Sequence, residues 1–415
     1  MAAAVALVLS ATTVVLANVD SRSGADYQLH TLLLGSDLSL LAVAVLAAGG
    51  LREAVRSWRR HACVLGGLIL GATMVPALLV NPSDRGLAAL ARWAGALALG
   101  LALGTSRRDG RRLVVGALAA VTLAHVAVAL AQRAVDGTVG LGALGEAGVY
   151  EIGGRYASTG LTVHPYVLAA WGAVAGTVLL ALGWRSASTS PLVKIAGVVA
   201  FAGIGLAMSR AGLVAGVLAL AALGVAALRT RNRWSVTTVA AATTALGVGI
   251  VLNLAGWMSR AGQEAGSVDA LSTGRGALLR QAWPLLRDHL LTGVGPGRYV
   301  LALSERPALV ALSAQSPRPV HLTPLLLLVE GGLLVLPALI LLAVAIVRAC
   351  LRGGAASLAV TLAMLPFLAL DHLAWSYPQG IVLTGVWLGA LDLLSQRGDG
   401  SEDNSSDEAA AEGRW

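Results

Sequence analysis

Apolar residues recur along this chain in long runs, separated by short polar breaks that carry nearly all of its charge. A helix needs roughly 17–25 residues to cross hydrocarbon. Runs of about that length fall near 3–18, 30–50, 62–80, 87–104, 112–131, 165–183, 193–208, 211–228, 236–254, 324–347, 355–371 and 378–396. All are rich in Leu, Ala, Val and Gly, as membrane helices often are. The pattern predicts an all-α polytopic membrane protein of about twelve transmembrane helices, with residues 1–396 forming one transmembrane domain. Residues 1–18 lack a basic leader and a small-x-small cleavage site, so they are expected to remain as the first helix. The acidic, Ser-rich residues 397–415 are expected to be a disordered cytoplasmic tail.

Composition and charge sharpen this picture. Of 415 residues, 56% are hydrophobic and 13% charged, against about 25% charged in soluble domains. The net charge of +8 raises the question of nucleic acid, but its placement answers to topology and no nucleic-acid partner is expected. Arg52, Arg56, Arg59 and Arg60 share one break; Arg107, Arg108, Arg111 and Arg112 another; Arg185 and Lys194 a third. Arg229, Arg231 and Arg233 follow, then Arg348 and Arg352. The intervening short breaks hold only Arg22, Arg85, Arg133, Arg155 and Arg210, mostly offset by acidic residues. The positive-inside rule then puts the first set and both termini in the cytoplasm of a multi-pass protein of the cell membrane. Cys63 and Cys350 cannot form a disulfide framework, and both fall near expected cytoplasmic helix ends, where thiols stay reduced.

Two connections on the expected extracytoplasmic side, 132–164 and 255–323, are too long to be simple links. Within the second, Leu279, Trp283, Leu286 and Leu290 share one face of an amphipathic helix suited to the membrane interface. The turn Gly293-Val294-Gly295-Pro296-Gly297 ends it. A structural lid is the plainer reading of this loop. Arg210 is the most informative single residue. A helix over 193–228 would run to about 54 Å, so the chain must turn at Ser209-Arg210-Ala211-Gly212 and leave Arg210 at the edge of the hydrocarbon. It is there either to snorkel or to hold an anion inside the bundle.

His321 stands just before Thr323, expected as a helix N-cap, and Pro324. A helix start favours phosphate and should keep a nearby imidazole neutral, able to take a proton from a hydroxyl. A capping or surface role is the alternative for a lone His. Arg155 and His164 flank a Gly-rich segment. Asp371, His372 and Trp375 end the eleventh run, with Trp375 readable as an interfacial anchor. His125 lies within the fifth run and could be a simple interhelical hydrogen bonder. The spacings contain no metal motif, nucleotide loop or dinucleotide fingerprint. No metal or other cofactor is therefore expected, and the energy of any reaction would reside in the substrate.

Several of these segments resemble one known family. Gly154-Arg155-Tyr156-Ala157-Ser158-Thr159-Gly160 through His164-Pro165 is similar to the "R…G…HP" segment of the O-antigen ligase and polymerase superfamily. Ser209-Arg210-Ala211-Gly212 resembles its "SRxG" turn. Thr273-Gly274-Arg275, then Asp288-His289 and the Gly293–Gly297 turn, resemble its next block, and His321 through Glu330-Gly331-Gly332-Leu333 the one after. Asp371-His372, Trp375 and Gln379-Gly380 resemble the ending of related members. The likeness spans about residues 150–390. Leu322 and Tyr166 stand where the family often has Asn.

The resemblance implies a metal-independent inverting glycosyltransferase that acts at the outer face of the membrane. Its donor would be a polyprenyl-pyrophosphate-linked glycan, and its acceptor a hydroxyl or amide on a glycan, lipid or protein. Carried over by motif, Arg210 and Arg275 would hold the pyrophosphate and His321 would be the general base. Arg155, His164, Arg287, Glu330, Asp371 and His372 are secondary candidates. A transporter or flippase of lipid-linked glycan, without covalent chemistry, is the competing reading. Against it, no repeat relates the two halves, and the polar residues crowd toward one face rather than the midplane.

Overall fold

In the computed structural model the apolar runs are helices almost throughout. The structure describes residues 5, 15–18, 32–105, 108–148, 150–152, 154–184, 190–230, 233–264, 275–312 and 317–396. The tail at 397–415 and Thr273-Gly274 lie outside the described residues. The helices are α1 (Gly35–Arg56), α2 (Ala62–Thr73), α3 (Val75–Val80), α4 (Asp84–Thr105), α5 (Arg108–Val135), α6 (Pro165–Trp184), α7 (Pro191–Leu206), α8 (Arg210–Thr230) and α9 (Arg233–Leu252). They continue with α10 (Leu254–Glu264), α11 (Arg275–Asp288), α12 (Tyr299–Ser304), α13 (Pro307–Val310), α14 (Thr323–Gly331), α15 (Leu336–Leu370), α16 (Leu373–Ser376) and α17 (Pro378–Ser395).

Among the described residues, seven helical segments are long and apolar enough to cross a membrane, and α7 is a shorter apolar helix. The expected twelve exceeds that count for identifiable reasons. Helices α1 and α17 are not among the seven, and α15 holds two expected spans in one assigned helix. Gly354, at φ +62°, breaks the helical path of α15. Cys350 Sγ lies 3.1 Å from Thr361 Oγ1, a separation that eleven residues of straight helix would stretch to about 16 Å. The chain therefore folds back at Gly354, where the break between the tenth and eleventh runs was expected.

The start of the chain departs from expectation. Val15–Asn18, the end of the first expected span, pairs antiparallel with Leu32–Leu34 at the start of the second, and α1 begins only at Gly35. Both are short Leu- and Val-rich pieces, which length alone cannot assign to helix or strand.

Small residues let the helices approach closely, as membrane packing without a hydrophobic drive requires. A Cβ on Gly385 or Gly389 of α17 would collide with the backbone of Ala96 and Gly100 in α4. Gly205 and Gly249 bring α7 and α9 together in the same way. Helices α6 and α17 are buried along nearly their whole length and form the centre of the bundle.

Candidate active site at one end of the bundle

The connection 132–164 is folded, and one side chain organises it. Gln132, buried at the end of α5, donates to Glu146 Oε1 (2.8 Å), Thr159 Oγ1 and the carbonyl of Gly160. Its own carbonyl accepts from the amides of Thr159 and Gly160 at 3.0 and 2.9 Å. Glu146 in turn accepts from the amides of Val139 and Leu141. His125 accepts from Leu161 N–H at 3.3 Å and packs on Trp171, so its hydrogen bond is structural but runs to the loop before α6 and not to another helix. A ribbon of Glu151–Ile152 and Arg155–Tyr156 brings Tyr150 edge-on to His164, with ring centres 4.6 Å apart. His164 Nδ1 accepts from Tyr166 N–H at 3.1 Å at the start of α6. The neutral ring therefore carries its proton on Nε2.

The connection 255–323 is organised by Glu330, buried at the end of α14. Its carboxylate accepts from Gly297 N–H (2.7 Å), Tyr299 N–H (3.2 Å) and Trp375 Nε1–H (2.6 Å). Backbone bonds from Val294 to Val329 and from Gly295 to Glu330 lock the glycine turn onto α14. Gly293 and Gly332 have positive φ there, and a Cβ on either would meet the opposing backbone. Trp375 is thus a buried donor, 3% exposed, and not the interfacial anchor its position suggested. Helix α11 has two apolar faces. Leu278, Ala282, Leu285 and Leu286 are buried, while Leu279, Trp283 and Leu290 of the expected stripe are exposed.

Between these frames lies a cluster from three segments. His321 and His372 meet edge to face with ring centres 5.0 Å apart. His372 stacks on Tyr377 at 5.3 Å, and Tyr377 also faces His164 at 6.3 Å. His321 Nδ1 lies 3.0 Å from the carbonyl of Pro319. A carbonyl only accepts, so the neutral ring donates from Nδ1 and Nε2 holds the free lone pair. Burial is the main cause that pushes the His321 pKa down to about 4, with His372 and Arg275 adding to it and Asp371 opposing. The expected direction holds, though desolvation dominates where helix polarity was expected to. Thr323 is not the cap. Leu322 holds that position, and the Thr323 hydroxyl donates to the Asp371 carbonyl at 2.8 Å, which ties the two ends together.

Burial likewise pushes His372 down to about 3 and His164 to about 4, with Arg318 acting on both and Arg260 on His164. The Asp371 carboxyl is raised by burial, against the pull of His321, its bonds to the amides of His372 and Leu373, and Arg275. Arg275 donates from Nη2 to the Leu370 carbonyl at 3.1 Å, while its buried Nε has no acceptor. His372 Nδ1 is also buried without a partner. Each such group costs about 1–3 kcal/mol unless something meets it.

Arg210 opens α8 directly after a strained turn. Met208 has φ +51°, and Ser209 Oγ caps α8 by accepting from Gly212 N–H at 3.1 Å. Arg260 donates to the Met208 carbonyl, which connects the Arg210 turn with the residues acting on His164. Arg275, His321, Asp371 and His372 are therefore one cluster and His164 joins it through Tyr377, while the turn before Arg210 is tied to Arg260. Arg155 is exposed on its ribbon, and Arg287 is exposed and paired with Asp288 at 3.4 Å. Glu330 frames the site from below. Arg260, Arg318 and Tyr377 were missed by sequence reasoning. The two arginines could have been found by asking which cations the long connection carries without a neighbouring acid.

The fold and cluster are those of a polytopic helical membrane protein with a cationic, histidine-rich site at one end of its helices. Residues 195–340 match the O-antigen ligase family model, a stretch that contains Arg210, Arg275, His321 and Glu330. The match supports the likeness to the O-antigen ligase and polymerase superfamily that the motifs carry. No curated protein matches the chain.

Proposed function

We propose that the protein is a metal-independent inverting glycosyltransferase of the O-antigen ligase and polymerase type, acting at the outer face of the membrane on a polyprenyl-pyrophosphate-linked glycan. The observation that carries this reading is the convergence of His321 and Arg275, distant in sequence and both half-buried, on the buried Asp371 and His372. A neutral His321 with its lone pair on Nε2 suits removal of a proton from the acceptor hydroxyl. The acceptor oxygen then bonds to the anomeric carbon as the carbon–oxygen bond to the diphosphate breaks, and the electron pair leaves with the diphosphate. Arg275, whose buried Nε is unmet, and Arg210 would hold that leaving group through charge-assisted bonds. Such stabilisation is a large share of catalysis in reactions of this kind. Arg260 and Arg318 add positive potential on the same side.

The test is release of polyprenyl pyrophosphate from a lipid-linked oligosaccharide by the reconstituted protein in EDTA, with an acceptor glycan present. Wild type should turn over donor, and His321→Ala and Arg275→Ala should each lose at least about 10²-fold, as removal of a general base or an anion-stabilising group does. Full activity in both variants, at normal expression, would sink the proposal. Donor moved across the vesicle bilayer without cleavage would instead favour the flippase.

A further inference from the structure

At the opposite end of the helices from His321, a cavity of about 480 Å³ opens beside Trp58, Arg59, Arg348, Arg352 and Asp392. Helix α17 separates the two ends, with Pro378 beside Tyr377 and Ser395 at the cavity, about 27 Å apart along the helix. Arg59 comes from the turn Trp58–Arg60, and Arg348 and Arg352 come from α15 just before it folds back at Gly354. Among the described residues no carboxylate lies within ion-pair distance of any of these three guanidinium groups. Asp392 lines the same cavity, but its two oxygens are taken up by the amides of Cys63 (2.9 Å) and Val64 (3.0 Å) at the start of α2 and it forms no ion pair with the three arginines. Arg352 donates only weakly, to the Arg59 carbonyl at 3.4 Å, and Arg59 lies over the Trp58 ring at 5.5 Å.

The cavity wall also holds Trp58, Ala62, Ala345 and Ala349, and the segments that supply its arginines expose apolar side chains. Val55, Trp58, Val347 and Leu351 are 56%, 52%, 57% and 79% exposed. A small soluble anion would gain nothing from that surface, whereas a molecule with a charged head and hydrocarbon chains would use both parts. Basic hollows between membrane helices hold anionic headgroups by this combination. We propose that this cavity binds the phosphate headgroup of an anionic phospholipid, held by Arg59, Arg348 and Arg352, with its chains leaving past Trp58 along the exposed apolar side chains of the adjoining segments. The site is separate from the chemistry at His321 and stands whether or not that reading holds.

The experiment is native mass spectrometry of the full-length protein released from mixed micelles containing equal phosphatidylglycerol and phosphatidylcholine. Wild type should retain phosphatidylglycerol preferentially, and the Arg59→Gln/Arg348→Gln/Arg352→Gln variant should lose the preference. The single variant Arg352→Gln, at an exposed position, should lower it about fivefold and keeps the test available if the triple variant misfolds. Arg52→Gln/Arg56→Gln, which removes exposed charge nearby but outside the cavity lining, should leave it intact. The proposal is overturned if the cavity variants keep the preference, if the Arg52/Arg56 variant loses it equally, or if glycerol phosphate displaces the lipid at matched concentration.

Discussion

Each of the two long connections at the site end depends on one buried polar side chain, but the two side chains work differently. Gln132 both donates and accepts, and all of its partners lie within 28 residues of it. Glu330 as a carboxylate only accepts, so it must draw donors to itself, and it gathers two amides more than 30 residues back and an indole 45 residues ahead. An amide can complete a local loop by itself, whereas a carboxylate stitches distant segments together. The first connection accordingly presents one site residue, His164, on a frame whose centre is local, with further ties from Asn253 to Tyr156 and from Gln379 to Leu161 and Val163. The second shares its frame with the end of α15 and α16, where Asp371 and His372 meet His321 and Arg275.

That contrast can be broken by substitution. The largest effect is expected for Glu330→Ala, which leaves three buried donors unmet and should cost about 3–5 kcal/mol. It should appear as a large fall in thermal stability in detergent together with loss of donor turnover. Gln132→Ala should cost less, about 2–3 kcal/mol. Its effect should be local, with faster amide exchange over 139–160 and unchanged protection at 293–300. Equal loosening of both segments in the Gln132 variant would show that Gln132 does not act locally.

The smallest effect is expected from pH. His164, His321 and His372 are all held below the ordinary imidazole value, so between about 6.5 and 4 the unfolded chain binds more protons than the folded one. The stability they contribute is present above pH 6.5 and is lost as pH falls toward 4. The raised Asp371 carboxyl works in the opposite sense, one group against three. Melting temperature should therefore decline over that window, while turnover, which needs neutral His321, should persist to about pH 5. A fall in turnover centred near pH 6.5 would mean that the working base is a more exposed imidazole.

Part of the candidate site stood out before the fold. Arg210 and His321 did so because a charged or titratable group beside a long apolar run is costly and therefore informative, and Arg275 only through its motif. The fold-back at Gly354 was legible for the same reason, since Arg352-Gly353-Gly354 interrupts two apolar runs that are each long enough to span. Other features were not. Trp375 reads in sequence as a surface anchor because nothing local reveals that a carboxylate 45 residues away needs its N–H. Thr323 reads as a cap because the carbonyl of Asp371 that claims its hydroxyl lies across the site. The buried face of α11, Leu278, Ala282 and Leu285, is hidden beside an equally apolar exposed one, since a helix between a bundle and a bilayer needs both.

The sequence by itself determined that the chain is a stack of apolar helices with its charge at their ends. Hydrocarbon leaves backbone groups no partner but the helix's own, so run length and charge placement suffice. Only the tertiary structure decided that His321, His372, Asp371 and Arg275 share one cluster and that His321 is neutral mainly through desolvation. Those outcomes depend on which helix ends meet and how much water they exclude, and a linear pattern of apolar and polar residues carries neither quantity.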